Sequence, residues 1–221
     1  MLVFSLVAHE YAHGYAAFRQ GDDTAYMLGR LTLNPLSHID PVLSILMPAV
    51  LWYASGGRFA FGGAKPIPVN TRKFRNYRRG DLIVSSAGVA TNFVLSLVFT
   101  LVFVLIGLIG HALPGAGGVL DVAQRMAVWG IQLNLMLCFF NLIPIPPLDG
   151  SRIAYHFMPP QMGLEYRKLD RFGYMIIMGL MLLFQPVFGL LLTPAWAMLE
   201  FLLRLVVPAF AVGTGWNIFA S

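Results

Sequence analysis

The sequence predicts an all-α polytopic membrane protein with about five transmembrane helices, a re-entrant segment and a small β-type cytoplasmic loop. Three observations carry that prediction. Of 221 residues, 57% are hydrophobic and only 11% are charged, against about 45–50% and about 25% in a soluble domain. Too few polar side chains exist to cover a water-exposed surface of this size. The mean hydropathy is +0.71, which excludes a cytosolic globule, a disordered tail, collagen and a coiled coil. Several apolar stretches also reach about 20 residues, the length that crosses a hydrocarbon core of about 30 Å. A single cysteine, Cys138, excludes a disulfide framework and a cysteine-based metal cluster.

Taken in order, residues 1–20 (MLVFSLVAHEYAHGYAAFRQ) form the first expected helix. They have neither a basic n-region nor a small-residue cleavage site, so a signal peptide is not expected. The helix starts without a polar flank, which leaves room for a further N-terminal helix before it. Residues 42–54 are apolar but number only 13 and contain Pro48. That is too short to span, and a re-entrant or interfacial segment is expected. Residues 58–70 (RFAFGGAKPIPVN) read as two short β-compatible pieces around Gly62-Gly63. Pro66 and Pro68 allow only edge strands there, and an exposed edge can pair with an extended peptide. Further spans are expected over 82–110, 122–142, 172–192 and 195–212.

The basic residues orient these spans. Seven of the fifteen Lys and Arg lie between Arg58 and Arg79, and Arg152, Arg167, Lys168 and Arg171 form a second group. The loop 111–121 has none. Lys and Arg favour the cytoplasmic side, so both groups are expected there and the first helix runs from outside to inside. This placement accounts for the net charge of +5 without a nucleic-acid partner.

The first helix carries ionisable residues at membrane depth. His9, Glu10 and His13 spell H-E-x-x-H. At 3.6 residues per turn, positions i and i+4 share a face about 6 Å apart, so two imidazoles can reach one tetrahedral zinc. The intervening Glu can act as a base on water whose pKa zinc lowers to about 7. A catalytic zinc site wants a third protein ligand and an open fourth position. The best candidate is Asp149, in NLIPIPPLDG, where Pro144, Pro146 and Pro147 stop a helix and leave irregular backbone at the cytoplasmic edge of the bilayer. Such backbone is tolerated only when protein or a water-filled cavity surrounds it. His38, His111 and His156 read as surface or packing histidines, Asp40 as a turn or cap, and Cys138 as apolar packing.

With these residues in place, the chain resembles the site-2 protease family of intramembrane zinc metalloproteases, and in particular the short prokaryotic members without an appended regulatory domain. The resemblance runs from Leu2 to about Tyr155. It rests on HEYAH at 9–13, GRLTLNPLSHIDP at 29–41, AKPIPVN at 64–70, RRGDLIVSSAG at 78–88 and NLIPIPPLDGSR at 141–152. It implies that His9, His13 and Asp149 ligate one zinc ion per chain and that Glu10 is the general base. It also implies that Lys65 and Pro66 lie near the substrate strand. Asn92 matches the Asn of a G-P-x-x-N-type pattern and would donate to the developing oxyanion. Val89 stands where that pattern usually has proline, and Gly63 where many members have a bulky residue.

The function expected is hydrolysis of peptide bonds within or beside transmembrane segments of other membrane proteins. One membrane-embedded metalloprotease domain over 1–221 is expected, with a catalytic core of about 1–155 and C-terminal helices over about 165–212. The expected location is the prokaryotic plasma membrane, with the metal site nearer the cytoplasmic face. A helical substrate must unwind locally, which favours Gly, Pro or Asn in its span. Two other readings stay open on the residues alone. One is a zinc-containing protein that binds client helices without cleaving them, which would not need Glu10 as a base. The other is a transporter, which usually shows paired repeats, and no repeat is visible here. Glu200 and Arg204 form an i, i+4 pair that reads as structural.

Overall fold

A computed structural model of the chain describes residues 1–57, 62–213 and 216. It is helical throughout, and the described residues contain no strand. Helix α1 spans Leu2–Gln20 and ends at Gly21, whose φ of 109° lets its own N–H and that of Asp22 turn back onto the last carbonyls. A short α2, Thr24–Met27, follows. Asn34 then caps a 3-10 turn at Pro35–His38. Asp40 accepts from the N–H groups of Val42 and Leu43 and so starts a π-type turn, Pro41–Leu46, that runs into α3, Met47–Ala54.

The longest element is α4, Tyr77–Ala112, with 36 residues and a length of about 54 Å at 1.5 Å per residue. Asn76 caps it by accepting from Arg79 N–H. The helix therefore begins five residues before the apolar run does, and its basic first turns project beyond the depth of a hydrocarbon core. A short turn at Pro114–Ala116 leads into α5, Gly117–Leu142. The three prolines end α5, with a cis bond between Pro146 and Pro147. Beyond them come α6 (Asp149–Tyr155), α7 (Pro160–Arg167) and a 3-10 turn, Lys168–Phe172. Then follow α8 (Gly173–Leu183), α9 (Gln185–Leu191) and α10 (Thr193–Phe210).

Helix α4 is the centre of the molecule, with α1, α5, α6 and α10 packed on it. Its two faces show why. Ser85, Gly88, Asn92, Ser96, Phe103 and Gly107 recur at three-, four- and seven-residue spacings and are buried, while Val94, Leu97, Val98, Leu101, Leu105 and Leu108 are exposed. Small and polar residues face protein and aliphatic ones face outward, as a bilayer rather than water requires. The apolar core lies between α5 and α10, where Ile131 and Leu135 meet Leu199, Leu202 and Leu203. At one end, fully buried Gln124 on α5 donates to the carbonyls of Phe103 and Phe210 and accepts from Val212 N–H, tying three helices together.

Length and composition make α4 and α10 candidate membrane spans, and the bent stretch from Pro160 to Leu191 adds a third if it counts as one. This is fewer than the five expected, because α1 and α5 carry polar residues along their lengths. The span expected at 172–192 is not one straight helix. Its segments meet at 107°; Phe184 between them leaves helical geometry (φ −122°, ψ 46°), and Pro186 in the first turn of α9 has no N–H to bond back into α8. Pro41–Ala54 is helical and too short to span. Of the β-type loop, 58–61 lie outside the described residues, and 62–70 is irregular backbone not paired in a sheet. Its alternate N–H groups bond instead to non-strand partners: Gly63 to Leu43 O at 3.0 Å and Lys65 to His38 O at 2.7 Å.

Candidate metal centre

His9 and His13 face α4 from successive turns of α1 and are 6% and 8% exposed. Asp149 arrives from the first residue of α6, placed there by the proline-broken end of α5. Gly150 makes that approach possible, because a Cβ there would lie 2.2 Å from the carbonyl oxygen of Leu142. The Nε2 atoms of His9 and His13 are 3.0 Å apart, and Asp149 Oδ2 lies 3.2 Å and 3.1 Å from them.

Each imidazole is oriented through its other nitrogen. His13 Nδ1 is 2.7 Å from the backbone carbonyl of Val84, an acceptor only, so Nδ1 carries the proton. His9 Nδ1 lies 3.3 Å from Asn92 Oδ1, which makes the same assignment. With Nδ1 donating on each ring, both Nε2 atoms converge on Asp149 Oδ2, which has no hydrogen-bond partner. Three such acceptor atoms in buried contact need positive charge among them, as a metal ion or a shared proton. Four-coordinate zinc with bonds of 2.0–2.1 Å holds its ligand atoms about 3.3 Å apart, close to the spacing of this triangle. The donor set of two imidazoles and one carboxylate suits that ion, and the carbonyl partners behind the imidazoles are the usual outer support for histidine ligands.

Helix α4 leaves space for this arrangement at Gly88. A Cβ there would sit 2.5 Å from His13 Nε2 and 2.6 Å from His9 Nε2. Glu10 lies beside the triad, its Oε2 accepting from Ile67 N–H at 2.8 Å. Both open into a cavity of about 520 Å³, whose lining includes Pro66, Ile67, Asn141, Asp149, Arg152 and Tyr174. The cavity wall is mostly apolar.

The structure brings His9, Glu10, His13, Asp149 and Pro66 together around this cavity. Lys65 is held through its backbone, its side chain is exposed and it does not line the cavity. Asn92 is fully buried behind His9 rather than at the cavity wall. The remaining histidines lie apart. His38 is 2.8 Å from Thr32 O through Nε2, His156 contacts Asp81, and His111 is exposed near the far end of α4. Glu200 and Arg204 pair with each other on the exposed side of α10. Two contributors were not anticipated: the Val84 carbonyl and Gly88. Gly88 ends a run of small residues, Ser85-Ser86-Ala87-Gly88, unusual inside an apolar helix. A backbone carbonyl has no signature in sequence at all.

The model of peptidase family M50 matches residues 1–184. A Bacillus subtilis protein that carries the name zinc metalloprotease YwhC is 38% identical over 179 residues, covering 81% of this chain and 77% of that protein. A Mycolicibacterium smegmatis protein that carries the name zinc metalloprotease Rip2 is 32% identical over 186 residues, covering 81% of this chain and 64% of its own length. Its Mycobacterium tuberculosis counterpart is 30% identical over 178 residues, with 80% and 63% covered. The chain thus matches a little under two thirds of the mycobacterial proteins' length. No solved structure matches it.

Proposed function

The chain belongs to peptidase family M50, the site-2 protease family, and from that premise we propose that it is an intramembrane zinc metalloprotease acting at the His9–His13–Asp149 centre. The observation that carries the proposal is the triangle of two Nε2 atoms and one carboxylate oxygen, 3.0–3.2 Å on a side, beside Glu10 in a cavity. The residues that would hold one zinc per chain are His9, His13 and Asp149. Zinc there would supply a Lewis acid and bring the pKa of a water from about 15.7 down to about 7.

The protein's own groups do the rest. Glu10, steadied on Oε2 by Ile67 N–H, takes the proton of the attacking water and returns one to the leaving amine. The Val84 carbonyl and Asn92 keep both imidazoles in the ligating tautomer. Asn92 holds the His9 ring through Oδ1 in this reading, and its Nδ2, which has no partner among the described residues, is the group that would donate to an oxyanion. The 64–70 segment, with Pro66 on the cavity wall and Lys65 on its outer side, receives an extended stretch of substrate. The apolar wall accepts the flanking transmembrane residues. Substrates are membrane proteins, and the intact substrate helix must open where it is cut.

We read α1, α4, α5, the bent α8–α9 pair and α10 as crossing the prokaryotic plasma membrane, with the centre nearer the cytoplasm. Support comes from the two basic groups, which share one end of the molecule: Arg78 on α4 donates to His156 O at 3.0 Å, and Arg167 on α7 to the Tyr77 hydroxyl. Val84 lies seven residues into α4, which puts the centre about 10 Å from that end. Packing of Ile177 and Met181 on Ile143 and Leu148 supports one functional unit across 1–221.

Cleavage of a panel of tagged single-span proteins in detergent tests the reading, with wild type beside Glu10→Gln. Glu10→Gln should bind zinc and clients as wild type does but turn over at least about 10²-fold more slowly. A chelator should abolish wild-type cleavage and zinc should restore it. Equal turnover in Glu10→Gln would refute the proposed base. A zinc-loaded wild type that holds clients without cleaving any would establish a binder instead.

A further inference from the structure

Asp81 takes no part in the reaction described above, yet it is a fully buried carboxylate on the helix that backs the metal centre. It is the acid of the RRGD stretch, 0% exposed, with both oxygens occupied. Arg152 Nη2 donates to Oδ1, and His156 Nε2 lies 2.8 Å from Oδ2. Both partners belong to the end of one short segment: Arg152 lies within α6 and His156 immediately follows it. Asp149, Arg152 and His156 are spaced i, i+3 and i+7, so they share one face. That face is turned toward α4, and Arg78, one turn before Asp81, also grips His156 O.

We infer that Asp81 is a positioning residue for Asp149: it fixes the rotation and depth of α6 so that the carboxylate completes the metal triangle. This rests on His9, His13 and Asp149 being the zinc ligands. Three considerations support it. Helix α6 has only seven residues, too few to hold a defined orientation through its own hydrogen bonds. A buried carboxylate held by an arginine and a histidine is often no more stabilising than apolar packing of the same volume, and fixing one arrangement is an attested gain of such contacts. Finally, Asp81, Val84, Gly88 and Asn92 form one stripe of α4, and each member serves a ligand. Val84 O orients His13, Gly88 clears both rings and Asn92 faces His9. Asp81 supplies the same support to the third ligand through α6.

The test is zinc affinity of the purified full chain in detergent, by competition with a chromogenic chelator, in wild type, Asp81→Asn, Asp149→Asn and the double variant. Asp81→Asn should weaken zinc binding by about 10–100-fold, the usual scale for losing an outer-shell partner. In the Asp149→Asn background the same change should add nothing, because the ligand it positions is already lost. A purely structural role would lower affinity by the same factor in both backgrounds, and that result overturns the inference. So does wild-type affinity in Asp81→Asn. If Asp81→Asn does not yield folded protein, His156→Leu removes one tether and keeps Arg152. It should weaken binding in wild type and not in Asp149→Asn, and unchanged affinity again overturns the inference. A wild-type chain that binds no zinc defeats the metal reading itself, a distinct outcome from zinc binding that ignores Asp81.

Discussion

At the scale of single residues, the centre depends as much on what is absent as on what is present. Gly88 has no side chain, and that absence is what lets two imidazoles stack against α4. Adding one methyl group would place it within 2.6 Å of both Nε2 atoms, far inside van der Waals contact. Gly88→Ala is therefore expected to lose zinc nearly as thoroughly as His13→Ala or Asp149→Ala while keeping its helicity, because Ala favours a helix interior by about 1 kcal/mol over Gly. Metal analysis alongside circular dichroism of the purified variants checks this. A full complement of zinc in Gly88→Ala would show that the rings need not pack where they are. Full retention in both His13→Ala and Asp149→Ala would remove the ligand assignment.

At the scale of elements, each helix terminus sets something the site uses. The α4 cap at Asn76 starts that helix well before its apolar run, so its basic turns meet the α6–α7 region beyond the expected membrane boundary. The proline break after α5 redirects the chain so that α6 opens on Asp149. The same logic gives a topology test. A cysteine at Arg72, exposed in the basic loop, should be labelled by an impermeant thiol reagent only after the membrane is permeabilised. A cysteine at Gly115, exposed in the loop between α4 and α5, should be labelled from outside in intact cells. The native Cys138 is 3% exposed and gives little background. Labelling in the reverse sense would invert the topology and put the centre near the opposite face.

For the whole molecule, the metal centre sits on an apolar bundle rather than holding it together. The α5–α10 core, the α4–α10 contact around Phe103 and the Gln124 clamp contain none of the ligands. Chelation should thus abolish activity while leaving helicity and the monodispersity of the detergent complex essentially unchanged. Small zinc-folded domains behave oppositely, since their metal-binding energy is their folding energy. Loss of more than about a quarter of the helical signal on chelation would mean that the centre is structural as well. The cavity's apolar wall and the 107° bend between α8 and α9 belong to this scale too. They bring Tyr174 and Phe188, distant in sequence from the H-E-x-x-H helix, to the same cavity.

Membrane residence, the positions of α1, α4, α5 and α10 to within five residues at each end, and the identity of His9, Glu10, His13 and Asp149 as candidate residues were readable from the chain. Each rests on composition or on short-range periodicity, which local sequence carries. The stretch expected as a span at 172–192 is two helices meeting at 107°: hydropathy averages over the apolar run, and the corner at Phe184, just before Gln185-Pro186, leaves no mark in that average. The edge strands at 58–70 were read from β-compatible residues, but the described part of that loop finds its partners in Leu43, His38 and Glu10, none of them in a strand. Composition could not reveal those partners, because they are non-local. The same holds for the support of the centre. That Val84 contributes a carbonyl, Gly88 a vacancy, Asn92 a contact behind His9 and Asp81 a hold on α6 follows from the packing of α1 and α6 against one stripe of α4. Pairings between residues about 70–80 positions apart come into being only when the helices meet.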